Sequence, residues 1–465
     1  MTLLGFSSER SSAVGLAGIL MLGLSAAGCG GAEQQSDPVK PAPATSAAAA
    51  EARCDEGAAP PSAQDGAEFV DSAPLLAWHD AAFKAAFATA KNGLIGLENV
   101  RGWTMMHLAV HDALNGIRPV YAQYAFTGCQ PDAHPTAAVA QAAHDVLVEV
   151  YPTLRESFDA ELDRTLSAIP DGKGKKGGIA LGKAAAAAVV AARENDGMLA
   201  DAKYEPKAPK PGQYQLVPPL AFVYRPTFGD SRPFALKAGD QIKAPPPPAL
   251  DSPEYAKAYN EVKAFGAKKS KARSADQTSY AAWWFEFAEV GWNRAAGIIA
   301  RERKLDLYPA ARMFALLNMG LSDATVTIWN AKSHYDTWRP VTAIHAAAKD
   351  GNHATAPDRR WESLMVCPPI QEYPSAHAIQ SSTSAEILAA VLGSDDVAFS
   401  MESVTAPPNS KVRSFTKLSD AARQAADSRV MAGIHFRFAT DVGLAMGKEV
   451  AAAIVSTQLT PRRSP

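Results

Sequence analysis

The sequence predicts an all-α protein: a helical bundle in the C-terminal half, preceded by a helical N-terminal half. Three observations predict it. Four segments between residues 75 and 169 repeat apolar residues at three- and four-residue spacing, the period of a buried helix face. They are LLAWHDAAFKAAFATA (75–90), GWTMMHLAVHDALNGI (102–117), TAAVAQAAHDVLVEVY (136–151) and LRESFDAELDRTLSAI (154–169). Helical patterns resume at 251 and continue to about 458, while alternating strand patterns are scarce. Between the two blocks lie PKAPKPG at 206–212 and APPPPALDSP at 244–253, which read as loop. No internal repeat of fixed period is visible.

Length and composition bound the rest. A chain of 465 residues suits two to three domains or one large helical domain, and can bury a large core without staples. Apolar residues make up 47% and charged residues 20%. The formal net charge is −2, so the basic surplus of a nucleic-acid binder is missing and any functional cation cluster must be local.

The N-terminus reads as a processing segment. Arg10 precedes the apolar run AVGLAGILMLGL at 13–24, and small residues then lead into Cys29, as in a secretory signal. Ala26-Ala27-Gly28-Cys29 resembles a bacterial lipobox, whose Cys becomes lipid-modified, although Ala26 stands where Leu is commonest. The run is shorter than the roughly 20 residues needed to span a bilayer. Residues 1–29 are therefore expected to be a signal peptide ending at a lipidation site, and the protein to be exported and lipid-tethered, or else secreted. Residues 30–65 carry almost no large apolar side chain and read as a flexible tether. The expected divisions are then an N-terminal helical region with the Pro-rich crossover over 66–250, and a catalytic helical domain over 251–460. An exported chain can form disulfides, and Cys54 with Cys129 is the expected pair. Cys367 reads as a buried apolar residue.

Three segments carry candidate chemistry. In AKSHYDTWRPVTAI, Lys332 and Arg339 are seven residues apart, about 700° of helix, so both would face nearly the same way, roughly 10 Å apart along the axis. Pro340 disfavours helix at Arg339, which is expected to end that helix. Two cations on one face suit an anion between them, and taken alone they also suit two solvated charges. In EYPSAHAIQSSTSAEILAAVLG, Ser375 is a natural N-cap. The amides of Ala376 and His377 would then point from a positive helix end, a ready anion site. His377 there has its charged form disfavoured and can exchange a proton near neutral pH. In SRVMAGIHFRFATDVGLAMGKEV, Arg429 and His435 are six residues apart and would not share a helix face. They can reach one site if a helix begins or bends between them, which Gly433 permits. A lone His in such an apolar stretch also suits a core position.

Their order matters more than each segment alone. Lys332…Arg339-Pro340, then Pro374-Ser375-Ala376-His377, then Ser428-Arg429…His435 resembles the three-part signature of the superfamily joining vanadium-dependent haloperoxidases to type 2 phosphatidic acid phosphatases (PAP2). A broader resemblance to soluble bacterial haloperoxidase-like proteins includes HLAVHDALNGI (107–117), SADQTSYAAWWFE (274–286) and NAKSHYDTWRPVTAIH (330–345). The resemblance implies that Lys332, Arg339 and Arg429 neutralise the oxygens of a bound vanadate or phosphate, helped by Ser375 and the Ala376 amide. It implies that His435 coordinates vanadium, or attacks phosphorus in a phosphatase, and that His377 is the acid–base residue. The physical reading agrees: three fixed cations and oriented donors stabilise a trigonal-bipyramidal oxyanion. This sequence departs from the family twice. Ala376 replaces the usual Gly, and the Asp usually four residues after the second His is absent, leaving Asp441 as the nearest substitute.

The implied activity is peroxidase-type: hydrogen peroxide oxidises a halide, or an organic substrate, at a Lewis-acidic vanadate that keeps its oxidation state. The alternative is an exported acid phosphatase that hydrolyses phosphoesters through a phospho-histidine. A third reading is a lipoprotein that captures the oxyanion without turnover, motivated by the displaced Asp. Absence of further apolar spans and the WRPVTAI context favour the peroxidase. Ile370, where family haloperoxidases often carry Phe, Trp or His, counts against halide oxidation.

His107 and His111 have HxxxH spacing but no evident third ligand, and read as core-facing. Trp283, Trp284 and Trp292 read as core. His334 falls on a different helix face from Lys332, and His345 and His353 would lie at most along an entrance. Asp323 and Asp336 flank the first motif and are candidates to anchor Lys332 or Arg339.

Overall fold

A computed structural model describes residues 69–90, 96–200 and 202–462. The expected signal segment, the lipidation site Cys29, the tether and Cys54 lie outside the described residues. The first half contains α1 (Ala73–Thr89), α2 (Leu97–Asn115), α3 (Pro135–Val150), α4 (Arg155–Ser167) and α5 (Lys173–Ala192). Among its described residues, the crossover from 193 to 252 holds a short 3-10 turn at Phe228–Asp230 and no longer helix. The second half contains α6 (Pro253–Phe265), α7 (Ala275–Trp283), α8 (Ala288–Glu302), α9 (Leu307–Tyr335), α10 (Pro340–Ala346), α11 (Ala376–Leu392), α12 (Leu418–Met431) and α13 (Arg437–Thr457). The four segments of helical periodicity became α1 to α4, and the all-α expectation holds. The exception is an antiparallel hairpin, β1 (Phe399–Glu402) and β2 (Val412–Phe415), with Phe399 opposite Phe415.

Local chemistry explains the boundaries. Ser252 caps α6 by accepting from the Tyr255 amide at 3.1 Å, with Pro253 just inside the helix. Ser274 and Gln277 form a reciprocal capping box at α7. Asp306 caps α9, and Gly393 ends α11 at φ +75°.

The 29-residue helix α9, roughly 43 Å long, is the axis of the fold. It is buried almost without interruption from Ala310 to Ile328, because it packs on α2 on one side and on α11 on the other. A single apolar core thus runs through both helical halves. Helix α11 is held in turn by α12 and α13. A Cβ at Gly443 of α13 would lie 2.8 Å from the Ser375 carbonyl, so the glycine lets α13 press against the start of α11. Among the described residues no helix is long and apolar enough to cross a membrane.

Trp283, Trp284, Trp292, His107 and His111 fall in this core, as expected. Trp283, Trp284 and Trp292 are buried and ring-packed. His107 and His111 are buried on α2, where His107 meets His79 and His111 meets Asp112 and Asn115. Cys367 is a free buried thiol, while Cys129 is disulfide-bonded.

Candidate active site

The ends of α9 and α12, the start of α11 and the segments leading into α10 and α13 bring Lys332, Arg339, Ser375, His377, Arg429 and His435 together. Lys332 lies in the last turn of α9. The chain leaves that helix through Asp336 at φ +48°, and Arg339 is the extended residue before α10. The expected shared helix face is therefore corrected. The helix stops at Tyr335, and Arg339 reaches Lys332 from a turn, because Pro340 excludes helical geometry at the preceding residue. Lys332 Nζ donates to the carbonyls of Gln371 (2.7 Å) and Glu372 (2.8 Å). Arg339 Nε donates to the Ile370 carbonyl at 2.8 Å, and its NH1 to the Ile434 carbonyl at 2.8 Å. Both cations thus clamp the 370–372 segment that leads into Ser375.

Ser375 stands at the N-cap of α11 as expected, but its hydroxyl makes no capping bond. It is 0% exposed and Oγ has no partner. The Ser375 amide donates to the Ala439 carbonyl of α13 at 3.0 Å. Ala376 and His377 are the first two helical residues, so their amides point out of the helix end. His377 Nε2 donates to the Glu286 carbonyl at 2.9 Å, which leaves Nδ1 with its lone pair. Burial, then Arg429, holds the His377 ring well below the usual histidine range, so it is neutral.

Arg429 lies near the end of α12, and Gly433, at φ +79°, turns the chain back. The Ile434 amide bonds the Arg429 carbonyl at 3.2 Å across this turn, and α13 starts at Arg437. The helix break between Arg429 and His435 is the one Gly433 was expected to permit. Arg429 NH1 donates to the Trp284 carbonyl at 2.6 Å, its guanidinium lies 5.4 Å from the Phe285 ring centre, and Nε is buried without a partner. Burial, then Arg339, lowers it to about 9, which leaves it protonated at neutral pH.

His435 Nε2 is 3.1 Å from Arg339 NH1. A guanidinium only donates, so Nε2 accepts and the ring proton sits on Nδ1. That proton is donated to Glu372 Oε1 at 2.9 Å, which also accepts the Phe436 amide at 2.9 Å. Burial, then Arg339, holds His435 well below the usual range. Glu372 is fully buried with Oε2 unpartnered, and burial raises its carboxyl to about 7 against the pull of Lys332 and Arg339.

Glu372 replaces Asp441 as the orienting partner. Asp441 is exposed on α13, among Arg437, Glu261 and Asp427. The helical register after Phe436 carries it to the outer face. Asp336 does bear on the first motif, indirectly. Its carboxylate accepts from Tyr204, Lys207, Gln213 and Gln371, and the Gln371 carbonyl receives Lys332. Asp323, by contrast, anchors the crossover, accepting the amides of Phe234, Ala235 and Leu236 at 2.6 to 2.8 Å. His334, His345 and His353 are exposed. Sequence reasoning missed Glu372 and the Trp284–Phe287 turn. The first had a signal, an acid inside an apolar run three residues before the Ser N-cap. The second contributes backbone carbonyls, which no side-chain pattern reveals.

Residues 312–461 match the family model of the VCPO second helical-bundle domain. This segment belongs to the vanadium haloperoxidase and PAP2-like superfamily. The haloperoxidase-type bundle contains all six residues, from Lys332 to His435. A bacterial vanadium-dependent iodoperoxidase superposes with a TM-score of 0.72 at 21% identity, over 87% of this chain and 100% of its own. A bacterial vanadium-dependent chloroperoxidase in its holo form superposes with a TM-score of 0.66 at 17% identity, over 83% of this chain and 98% of its own. The apo form of a bacterial chloroperoxidase gives 0.62 at 17% identity, over 76% and 92% of the two chains. These identities establish a shared helical fold. No curated protein matches the sequence.

Proposed function

We propose that the chain is a vanadate-dependent haloperoxidase-like enzyme that uses hydrogen peroxide to oxidise a halide, or an organic substrate. The observation that carries this reading is a pair of buried polar atoms left without partners in two of the three motifs. Ser375 Oγ and Arg429 Nε are buried without partners. Leaving such groups unpaired costs about 1–3 kcal/mol each, and an oxyanion would satisfy both. Vanadate fits the donor set. Lys332, Arg339 and Arg429 would balance its charge, Ser375 and the Ala376 amide would bind its oxygens, and His435 Nε2 would exchange the Arg339 N–H it accepts for the metal as that guanidinium turned to the oxyanion. Bound vanadate would supply Lewis acidity toward peroxide. The chain's own part is to hold the oxyanion, to keep His435 in one tautomer through Glu372, and to offer His377 Nδ1 for proton transfer.

One observation favours phosphatase chemistry as the second reading. A neutral imidazole backed by a carboxylate is also the arrangement of an activated nucleophile. Ile370, buried where family haloperoxidases often place a ring, points the same way. Capture without turnover loses its motive, since Glu372 supplies the carboxylate thought to be missing. The test uses protein loaded with orthovanadate and measures bromination of a phenolic dye by peroxide and bromide, with a His435→Ala control. Vanadate-dependent bromination lost in the control supports the peroxidase. His435-dependent hydrolysis of p-nitrophenyl phosphate without bromination moves the chain to the phosphatases, and turnover of neither leaves simple capture. The lipid tether at Cys29 belongs to the same proposal, tested by detergent partitioning of the expressed full chain against Cys29→Ser.

A further inference from the structure

Beneath the oxyanion pocket, α8, α9 and α11 enclose a second acid. Glu289 lies in the first turn of α8 and is 1% exposed. Its Oε2 accepts one neutral donor, Gln380 Nε2, at 3.2 Å, and its Oε1 has no partner. Gln380 also donates to Thr325 Oγ1 of α9 at 3.0 Å. Gln380 is three residues after His377 on α11, and Thr325 is seven residues before Lys332 on α9. Residues three apart share a helix face, so Gln380 lies about one turn beyond His377 on α11, and Glu289 of α8 is bonded to it there.

Among the described residues no cation is bonded to this carboxyl. Arg294 of the same helix is spent on Glu286, at 2.7 and 3.0 Å, and on the Glu402 carbonyl. The carboxyl is bonded by the neutral amide of Gln380 from α11, which also donates to Thr325 of α9, while Asn293 bonds the Glu289 backbone carbonyl and Asn318. An uncompensated buried carboxylate is disfavoured strongly enough to take up a proton. Burial accordingly pushes the Glu289 carboxyl up to about 7.

We infer that Glu289 is an internal proton donor to the oxyanion pocket, delivering through the first turn of α11 toward His377. The inference rests on the oxyanion reading of that pocket. Halide oxidation by peroxide consumes one proton: peroxide, halide ion and a proton give hypohalous acid and water. The O–O bond breaks, the halide loses two electrons, and the proton leaves in the water formed. His377, neutral in this setting, needs a proton before it can act as an acid. Glu289 supplies it while bound substrate closes the pocket to solvent, and takes a proton back along the same route after product leaves, since His377 is the most exposed of the six pocket side chains.

Infrared difference spectroscopy on the whole protein tests this. At pH 6 the unliganded protein should show a protonated-carboxyl stretch that is absent in Glu289→Gln. Orthovanadate should diminish the band as the proton moves into the pocket. With peroxide and bromide, Glu289→Gln should lower kcat roughly 10²-fold with KM for peroxide unchanged, and should remove one ionisation from the pH profile of kcat. Carbon-13 labelling of glutamate carboxyls identifies the band in the unaltered chain should the variant not fold. Absence of the band overturns the proposal even where vanadate binds. So does a band that vanadate leaves unchanged while calorimetry shows binding. A band present with no vanadate binding overturns the oxyanion reading, and the donation with it.

Discussion

Glu372 Oε1 accepts the Nδ1 proton of His435 at 2.9 Å, and this contact decides which ring nitrogen faces the pocket. The acid arrives from the loop before α11, whereas the histidine arrives from the turn before α13. Two segments 63 residues apart therefore fix one tautomer.

Replacing Glu372 with Gln removes the negative partner while keeping the volume. The amide can still accept from Nδ1, but it no longer supports positive charge on the ring. Partners behind a metal-ligating histidine are typically worth 10–100-fold, so vanadate affinity and turnover should fall by about that factor. Asp441→Asn should change neither by more than about twofold. Calorimetric titration with orthovanadate and the bromination assay check both.

Ser375→Ala should act in opposite directions on stability and binding. The hydroxyl is buried and unpartnered, so its loss should raise the stability of the unliganded protein by about 1 kcal/mol. Vanadate affinity should drop roughly tenfold, the equivalent of about 1.4 kcal/mol. Urea unfolding and calorimetry on the same preparations separate the two effects.

Gly433→Ala should destabilise the fold. The residue sits at φ +79°, and a Cβ there would lie 2.3 Å from the Gly266 carbonyl oxygen. Backbone strain of about 1–3 kcal/mol adds to that clash, so a loss of about 3 kcal/mol or more is expected in urea unfolding. Because this turn sets His435 relative to Arg429, the folded fraction should also bind vanadate weakly.

The Glu289 carboxyl, raised from 4.5 to about 7, makes stability depend on pH with a definite sign. A raised folded value means that the folded state holds a proton that the unfolded state has released. The stabilisation is full below about 4.5 and is lost as pH rises toward and through 7. The stability of the wild type relative to Glu289→Gln should therefore decline over that window, by an amount on the order of 2–3 kcal/mol. Unfolding at a series of pH values measures it. A difference that stays flat would mean Glu289 is ionised throughout.

Much of the site was legible because its parts are local. Ser375 before an apolar helical run, Pro340 after Arg339 and Gly433 between Arg429 and His435 each impose a backbone geometry through their own sterics. Those geometries recur in α11, α10 and the α12–α13 turn. The shared helix face of Lys332 and Arg339 failed for a local reason too. The left-handed residue Asp336 closes α9 after Tyr335, four residues short of the expected end at Arg339, and tertiary contacts from Tyr204, Lys207 and Gln213 hold it there.

By itself the sequence determined the helix periods, the caps and stops, and the order of three motifs that can build an oxyanion pocket. Only the tertiary structure decided what stands behind each pocket residue. Glu372 backs His435, the carbonyls of Trp284 and Glu286 hold Arg429 and His377, and the Ala439 carbonyl holds the Ser375 amide. The reason is physical. Periodicity and capping depend on neighbours within a few residues, whereas a buried donor or acceptor is satisfied by whichever group packing brings within about 3 Å, at any separation along the chain.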